Sequence, residues 1–248
     1  MKRVLFLATV FFLFLFGSCK LKNSETIVKK WYYEDGSLKK IQEYKNDSIE
    51  HGKYLFYYPN GHLKDSGNYV NGKFHGERIE YYENGHPYVV TNYINGKERN
   101  GLNYRQNGSL NEYIVANYFS DIMFIIRYDS VGKMIKYEGN PICNWFIKDT
   151  IPLSQKFDIE LLIANPPNCI TKVIVSDWDI LKNQAISKAV YIPDKFNRVN
   201  YFRNQNPEMD MYILNTVNIK DTIYNWTITD SVFITINREG ITSYFKTN

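Results

Sequence analysis

The sequence predicts an all-β protein, an elongated ribbon of stacked β-hairpins followed by a β-sandwich. Three observations predict it. A glycine turn recurs five times at nearly constant spacing. Tyrosine falls from 16 in residues 27–138 to five in residues 139–248. Beyond Gly139 the apolar residues gather in short β-branched runs bounded by turn residues.

Residues 1–18 stand outside that fold. Lys2 and Arg3 precede an apolar run from Val4 to Phe16, and Gly17, Ser18 and Cys19 follow. A charged start, a short apolar stretch and small residues before a cut make a secretory signal peptide, too short to cross the ~30 Å core of a bilayer. Leu15-Phe16-Gly17-Ser18-Cys19 resembles the lipobox of bacterial lipoproteins, with Phe16 in place of the usual aliphatic. The resemblance implies cleavage before Cys19 and acylation of its sulfur and new amino group. Several acyl chains at about 0.8 kcal/mol per buried CH₂ anchor stably, so the protein is expected in the cell envelope as an outer-membrane lipoprotein, facing the periplasm or the outside. Residues 19–27 form a tether. Removal of Lys2 and Arg3 leaves 28 Lys plus Arg against 26 Asp plus Glu. A nearly neutral chain without a basic run has no footprint for nucleic acid.

Residues 28–138 hold the repeats. Gly36, Gly61, Gly85, Gly108 and Gly132 sit in the phrases EDGS, PNGH, ENGH, QNGS and SVGK, and Tyr32, Tyr57, Tyr81, Tyr104 and Tyr128 stand four residues before them. Asn-Gly and Asp-Gly favour the type I′ hairpin turn, so each copy is a hairpin. Second turns are expected at His51-Gly52, His75-Gly76 and Asn100-Gly101. A lone hairpin is marginal in water, so the copies must pair edge to edge.

The stretch from Tyr69 through Val70-Asn71-Gly72-Lys73-Phe74-His75-Gly76-Glu77 to Gly85 resembles the variant MORN repeat of bacterial YwqK-like proteins. The match runs over roughly residues 28–138. Copies two and three fit best, while the fourth has Arg105 in place of an aromatic. The resemblance implies a sheet of stacked hairpins used for contact with a partner, without catalysis. Some relatives are labelled antitoxin components, a role that an exported lipoprotein is poorly placed to play.

Side chains alternate across a strand. One face collects Lys30/Tyr32, Leu55/Tyr57, Ile79/Tyr81, Leu102/Tyr104 and Ile126/Tyr128, the expected core-facing row. The other collects Trp31/Tyr33, Phe56/Tyr58 and Glu80/Tyr82, then polar residues in the last two copies. Trp31, Tyr33, Phe56, Tyr58 and Tyr82 are therefore the candidate binding face, since exposed aromatic rows suit sugar rings or an apolar peptide edge. The same rings could instead be covered by residues 139–248. The four histidines flank turn glycines about 24 residues apart, which offers no converging metal site.

From Gly139 to Asn248 the runs 143–148, 157–164, 172–178, 188–192, 211–219, 222–229 and 232–237 suggest about seven strands of a β-sandwich, an immunoglobulin-like topology being one arrangement that fits. Cys143 and Cys169 could close a disulfide loop contributing about 3.5 kcal/mol in an oxidising compartment, or remain as two free thiols. No nucleophile elbow, phosphate loop or zinc helix motif is present, so no enzyme, catalytic residue, metal or other cofactor is expected. Asp followed by Ser or Thr and an aliphatic residue occurs at Ser48, Ser130, Thr150, Thr222 and Ser231. The phrase resembles the O-glycosylation site of Bacteroidota, and it also opens a strand well. The expected function is non-catalytic binding of a protein or glycan partner by ribbon and sandwich. The alternative is a spacer ribbon that presents the sandwich as the binding module.

Overall fold

The structure, a computed structural model, describes residues 26–117, 119–147, 156–179, 181–194, 197–204, 211–237 and 240–246. The residues expected to form a signal peptide, Cys19 and Thr150 lie outside them. The described residues are strands and turns throughout.

An eleven-stranded antiparallel sheet runs in chain order: β1 (Thr26–Tyr32), β2 (Leu38–Lys45), β3 (Ile49–Tyr57), β4 (Leu63–Val70), β5 (Lys73–Phe74), β6 (Gly76–Tyr81), β7 (Pro87–Ile94), β8 (Lys97–Tyr104), β9 (Leu110–Ala116), β10 (Ile122–Tyr128) and β11 (Met134–Gly139). The short β5 pairs only with β4. The five glycine turns are alike. Gly36 N–H donates to the Tyr33 carbonyl at 3.0 Å, Tyr33 N–H donates to Ser37 at 2.8 Å, and the same bonds recur around Gly61, Gly85, Gly108 and Gly132.

These turns differ from the expected type I′. Of their residues only the glycine has positive φ, 83° at Gly36, and the register shifts by one residue beside each turn. That is the three-residue loop with a G1 bulge. The Asx side chain selects it. Oδ1 of Asp35, Asn60, Asn84 and Asn107 accepts the N–H two residues on at 2.9–3.1 Å, an Asx turn that leaves one left-handed position.

Type I′ geometry is used elsewhere, between hairpins. Asn71-Gly72 (φ 51° and 77°) and Asn95-Gly96 (φ 51° and 80°) are both left-handed, and in the loop before β3 so are Asn46 and Asp47. The turns expected at His51-Gly52, His75-Gly76 and Asn100-Gly101 are corrected accordingly, because Gly52 and Gly101 lie inside β3 and β8 and Gly76 opens β6. At Gly52 a Cβ would fall 2.0 Å from Glu43 Oε2, which instead accepts Lys53 N–H at 2.9 Å.

The rest of the chain forms two sheets. One is ordered β12 (Ile142–Ile147), β13 (Lys156–Ile163), β16 (Arg198–Asn204). The other is ordered β15 (Gln184–Tyr191), β14 (Cys169–Asp179), β17 (Met211–Asp221), β18 (Thr227–Asn237), β19 (Gly240–Lys246). Labelling β12, β13, β14, β15, β16, β17 and β18 as A, B, C, C′, E, F and G gives A-B-E against C′-C-F-G, the strand order of an immunoglobulin-like sandwich, with β19 added at the G edge. Two strands were missing from the sequence expectation, β16 and β19. The run expected at 222–229 is also corrected. Residues 222–226 form a turn, held by the Asp221 carboxylate, which accepts the N–H groups of Ile223 and Tyr224.

Sandwich and ribbon share a core. Ile159, Leu161, Ile163, Val173, Val175, Ile213, Val217 and Ile219 pack in one cluster with Val115, Phe124 and Ile126 of β9 and β10. Each such side chain contributes roughly 1.5–3 kcal/mol by leaving water. The junction is also bonded. Tyr113 Oη accepts Asn165 N–H at 2.7 Å and Asn197 Nδ2 at 2.6 Å, and Tyr224 Oη donates to the Val131 carbonyl at 2.7 Å. The expected core-facing row is thus covered only at its late end. Ile126 is fully buried, Leu55 and Ile79 are half-buried, and Tyr32 is 58% exposed.

Candidate functional site

The turn that closes each hairpin also sets the residue before it, where Tyr33, Tyr58, Tyr82 and Arg105 stand. Their side chains reach one repeat along the ribbon. Tyr33 Oη donates to the Tyr57 carbonyl at 2.6 Å, Tyr58 Oη to Tyr81 at 2.8 Å, and Tyr82 Oη to Tyr104 at 2.9 Å. Arg105 continues the series, its Nη2 donating to the Tyr128 carbonyl at 2.5 Å and Nη1 to Asp129 at 2.9 Å and Leu110 at 2.7 Å. Three of the five candidate residues therefore stitch consecutive copies together, and Arg105, which breaks the aromatic pattern, keeps the stitch.

Histidines add to it. Nδ1 of His62 lies 2.5 Å from the Glu83 carbonyl and Nδ1 of His86 lies 3.0 Å from that of Gln106, which requires the proton on Nδ1. Among the described residues no group of three His, Cys, Asp or Glu converges on a metal position.

Trp31 and Phe56 flank Lys40 in the cross-strand row Trp31↔Lys40↔Phe56. Lysine ammonium groups lie over the rings: Lys40 at 5.2 Å from Trp31 and 5.1 Å from Tyr54, Lys64 at 5.3 Å from Phe56 and 5.2 Å from Tyr58, and Lys39 at 5.3 Å from Tyr33. Such contacts contribute about 0.5–1 kcal/mol at exposed sites. Lys39 and Lys64 are the bulge residues skipped by the register, which swings them toward the stitching tyrosines. Tyr88 fills that position in the third copy, 4.9 Å from Tyr82. Sequence reasoning missed these lysines, although they recur two residues after Ser37 and His62 and could have been found by aligning the copies.

Next to this row lies a tighter cluster. Tyr69 and Phe74 rings are 4.2 Å apart, Tyr93 follows at 5.3 Å, and Arg78 makes bonds of 2.6–3.2 Å to the buried Asp65 carboxylate. Burial pushes the Tyr69 phenol up to about 12. This cluster is the core of the early copies.

Cys143 and Cys169 are both free thiols. Cys143 sits in the core at the start of β12, its Sγ donating to the Asn140 carbonyl at 3.2 Å, while Cys169 opens β14 in the other sheet, beside Asp221. Ser48 and Ser130 lie exposed in turns. Thr222 donates its hydroxyl to the Asn168 carbonyl at 2.7 Å, and Ser231 faces Thr216 at 2.9 Å within the sheet.

No curated protein matches the chain. Residues 26–46, 50–71 and 74–95 match the family model described as the MORN repeat variant, so the first three hairpin copies are repeats of that kind.

Proposed function

We propose that the protein is an exported lipoprotein, anchored through Cys19 in the bacterial cell envelope, whose early repeats bind a protein or glycan partner without catalysis. The observation that carries this reading is the row Trp31, Lys40, Phe56 and Lys64. It lies on copies whose apolar row the sandwich leaves half-open, and it offers aromatic faces beside lysine ammonium groups. Rings suit sugar C–H faces or apolar side chains, and the ammonium groups suit hydroxyl or carboxylate oxygens. The stitching tyrosines hold this face and are not themselves the contact. Ser48, exposed at a turn, is an acceptor for an O-linked glycan.

The test uses the double variant Trp31→Ala/Phe56→Ala in the full chain. Its capture of envelope proteins and its glycan-array signal should fall at least about tenfold, as expected for loss of two aromatic anchors, with folding checked by circular dichroism. Unchanged binding in a folded variant sinks the proposal for this face. Separately, Cys19→Ala should move the protein from the membrane to the soluble fraction, and intact mass should show acyl additions at Cys19 and hexose-sized increments that disappear in Ser48→Ala.

A further inference from the structure

The ribbon has two open ends. Among the described residues β1 pairs only with β2 and β11 only with β10, so each leaves one backbone edge without a neighbouring strand. Bare edges of this kind recruit further strands. Both ends also show apolar side chains to solvent. Val28 and Tyr32 of β1 are 53% and 58% exposed, and Ile135 and Tyr137 of β11 are 64% and 46% exposed.

The four junctions between successive copies define what fits such an edge. At each, the residue four after the turn glycine stands opposite the residue before the next tyrosine: Lys40↔Phe56, Asp65↔Glu80, Val89↔Asn103 and Glu112↔Arg127. Two positions further along, Gln42↔Tyr54, Thr91↔Gly101 and Ile114↔Ile125 keep the same offset. Continued from Gly132 through β11 to β1 of a second copy, this register sets Lys136 opposite Trp31, Tyr137 opposite Lys30, Glu138 opposite Lys29 and Gly139 opposite Val28. The two edges are complementary in charge. Glu138 meets a lysine, Tyr137 and Trp31 each meet a lysine ammonium, and no like charges stand directly opposite. Within the chain the equivalent pairing of Glu112 with Arg127 forms an ion pair at 3.0 Å.

We propose that β11 of one copy of this chain pairs antiparallel with β1 of the next, so that the ribbons join head to tail. Such a contact uses two different surfaces, and the assembly therefore stays open at both ends. It is weaker than the junctions inside the chain. The stitching position of the last copy is Asp129, whose carboxylate accepts the Val131 and Lys133 N–H groups and has no proton to give the Tyr32 carbonyl of the next copy. The contact is accordingly reversible. It goes beyond the partner-binding face proposed above, and partner capture does not enter its test.

Sedimentation equilibrium at rising concentration tests it, on the full chain carrying Cys19→Ala so that no acyl group contributes. The average mass should climb past that of a dimer. Lys29→Glu and Glu138→Lys should each weaken association at least about fivefold, because each turns an attractive cross-strand pair into a repulsive one. Both substitutions in one chain should restore it, since the two charges are then exchanged across the contact. Circular dichroism should show all three variants folded, as surface ion pairs contribute little to stability. In a second measurement, a Lys30→Cys chain mixed with a Tyr137→Cys chain should form a disulfide-linked pair under mild oxidation, because opposed Cβ atoms lie about 4.5–5.5 Å apart. Neither chain alone should do so. A mass that stays monomeric at about 1 mM overturns the proposal, and so does one that stops at the dimer, which marks a closed symmetric contact. Failure of the double charge exchange to restore association overturns it too, as does linkage between like chains as strong as in the mixture.

Discussion

At position 105 an arginine stands where the earlier copies carry tyrosine, and its guanidinium reaches the same row of carbonyls one repeat along. A phenol can serve one carbonyl, whereas the guanidinium fork serves those of Leu110, Tyr128 and Asp129 together. Arg105→Leu should therefore cost about 2–3 kcal/mol in urea unfolding, more than the roughly 1 kcal/mol of Tyr58→Phe, because charged donors make the stronger bonds. Arg105→Tyr should recover about 1 kcal/mol of that loss. Equal costs for the arginine and tyrosine variants would show that the extra carbonyl bonds contribute nothing.

Left-handed glycines occur both in hairpin turns and at a strand end, and they differ in what surrounds them. Gly61 has φ +83° and open space where a Cβ would go, so Gly61→Ala meets only the left-handed penalty of about 1 kcal/mol. Gly139, the last residue of β11, has φ +87°, and a Cβ there would lie 2.0 Å from the Met123 carbonyl oxygen. Gly139→Ala must strain the backbone or separate β10 from β11, at a cost of roughly 3 kcal/mol or more. Thermal melts of the two variants should differ accordingly, and equal shifts would show that β11 yields freely.

Across the whole molecule, the late repeats and the sandwich are joined by a core holding several buried weak acids. Burial raises the pKa of Cys143 and of the Tyr113 and Tyr128 phenols, and pushes Cys169 up to about 12. Each prefers its protonated form when folded, so the unfolded chain releases these protons first. Stability should be flat in this respect below pH about 9, then fall steadily as pH rises toward 12. Urea midpoints measured across that range check it. A midpoint that holds constant to pH 12 would show that these groups are in contact with water.

Five glycine phrases and their tyrosines were enough to place the ribbon, because a turn residue two positions from an alternating strand is a local signal. The turn types were assigned to the wrong glycines. Asn71-Gly72 and Asn95-Gly96 carried the Asn-Gly signature in plain view, and the Asx bonds that convert the other turns to bulges are also local. Strand β16 was not legible, since in Arg198–Asn204 the apolar residues Val199, Tyr201 and Phe202 do not alternate cleanly with polar ones, and the segment is a strand because β13 pairs with it.

The sequence by itself determined the all-β class, the repeat period, the aromatic-to-polar gradient along one face and the change of character at Gly139. These depend on spacing and side-chain alternation, which a chain carries with it. Tertiary structure alone decided that Tyr33, Tyr58 and Tyr82 spend their hydroxyls on the neighbouring repeat, that Cys143 and Cys169 stay apart, and that the sandwich covers the last two copies. Those outcomes rest on which surfaces meet across long separations. Tyr113 bonding to Asn197 and Tyr128 facing the Asp221 loop are contacts that no local pattern specifies.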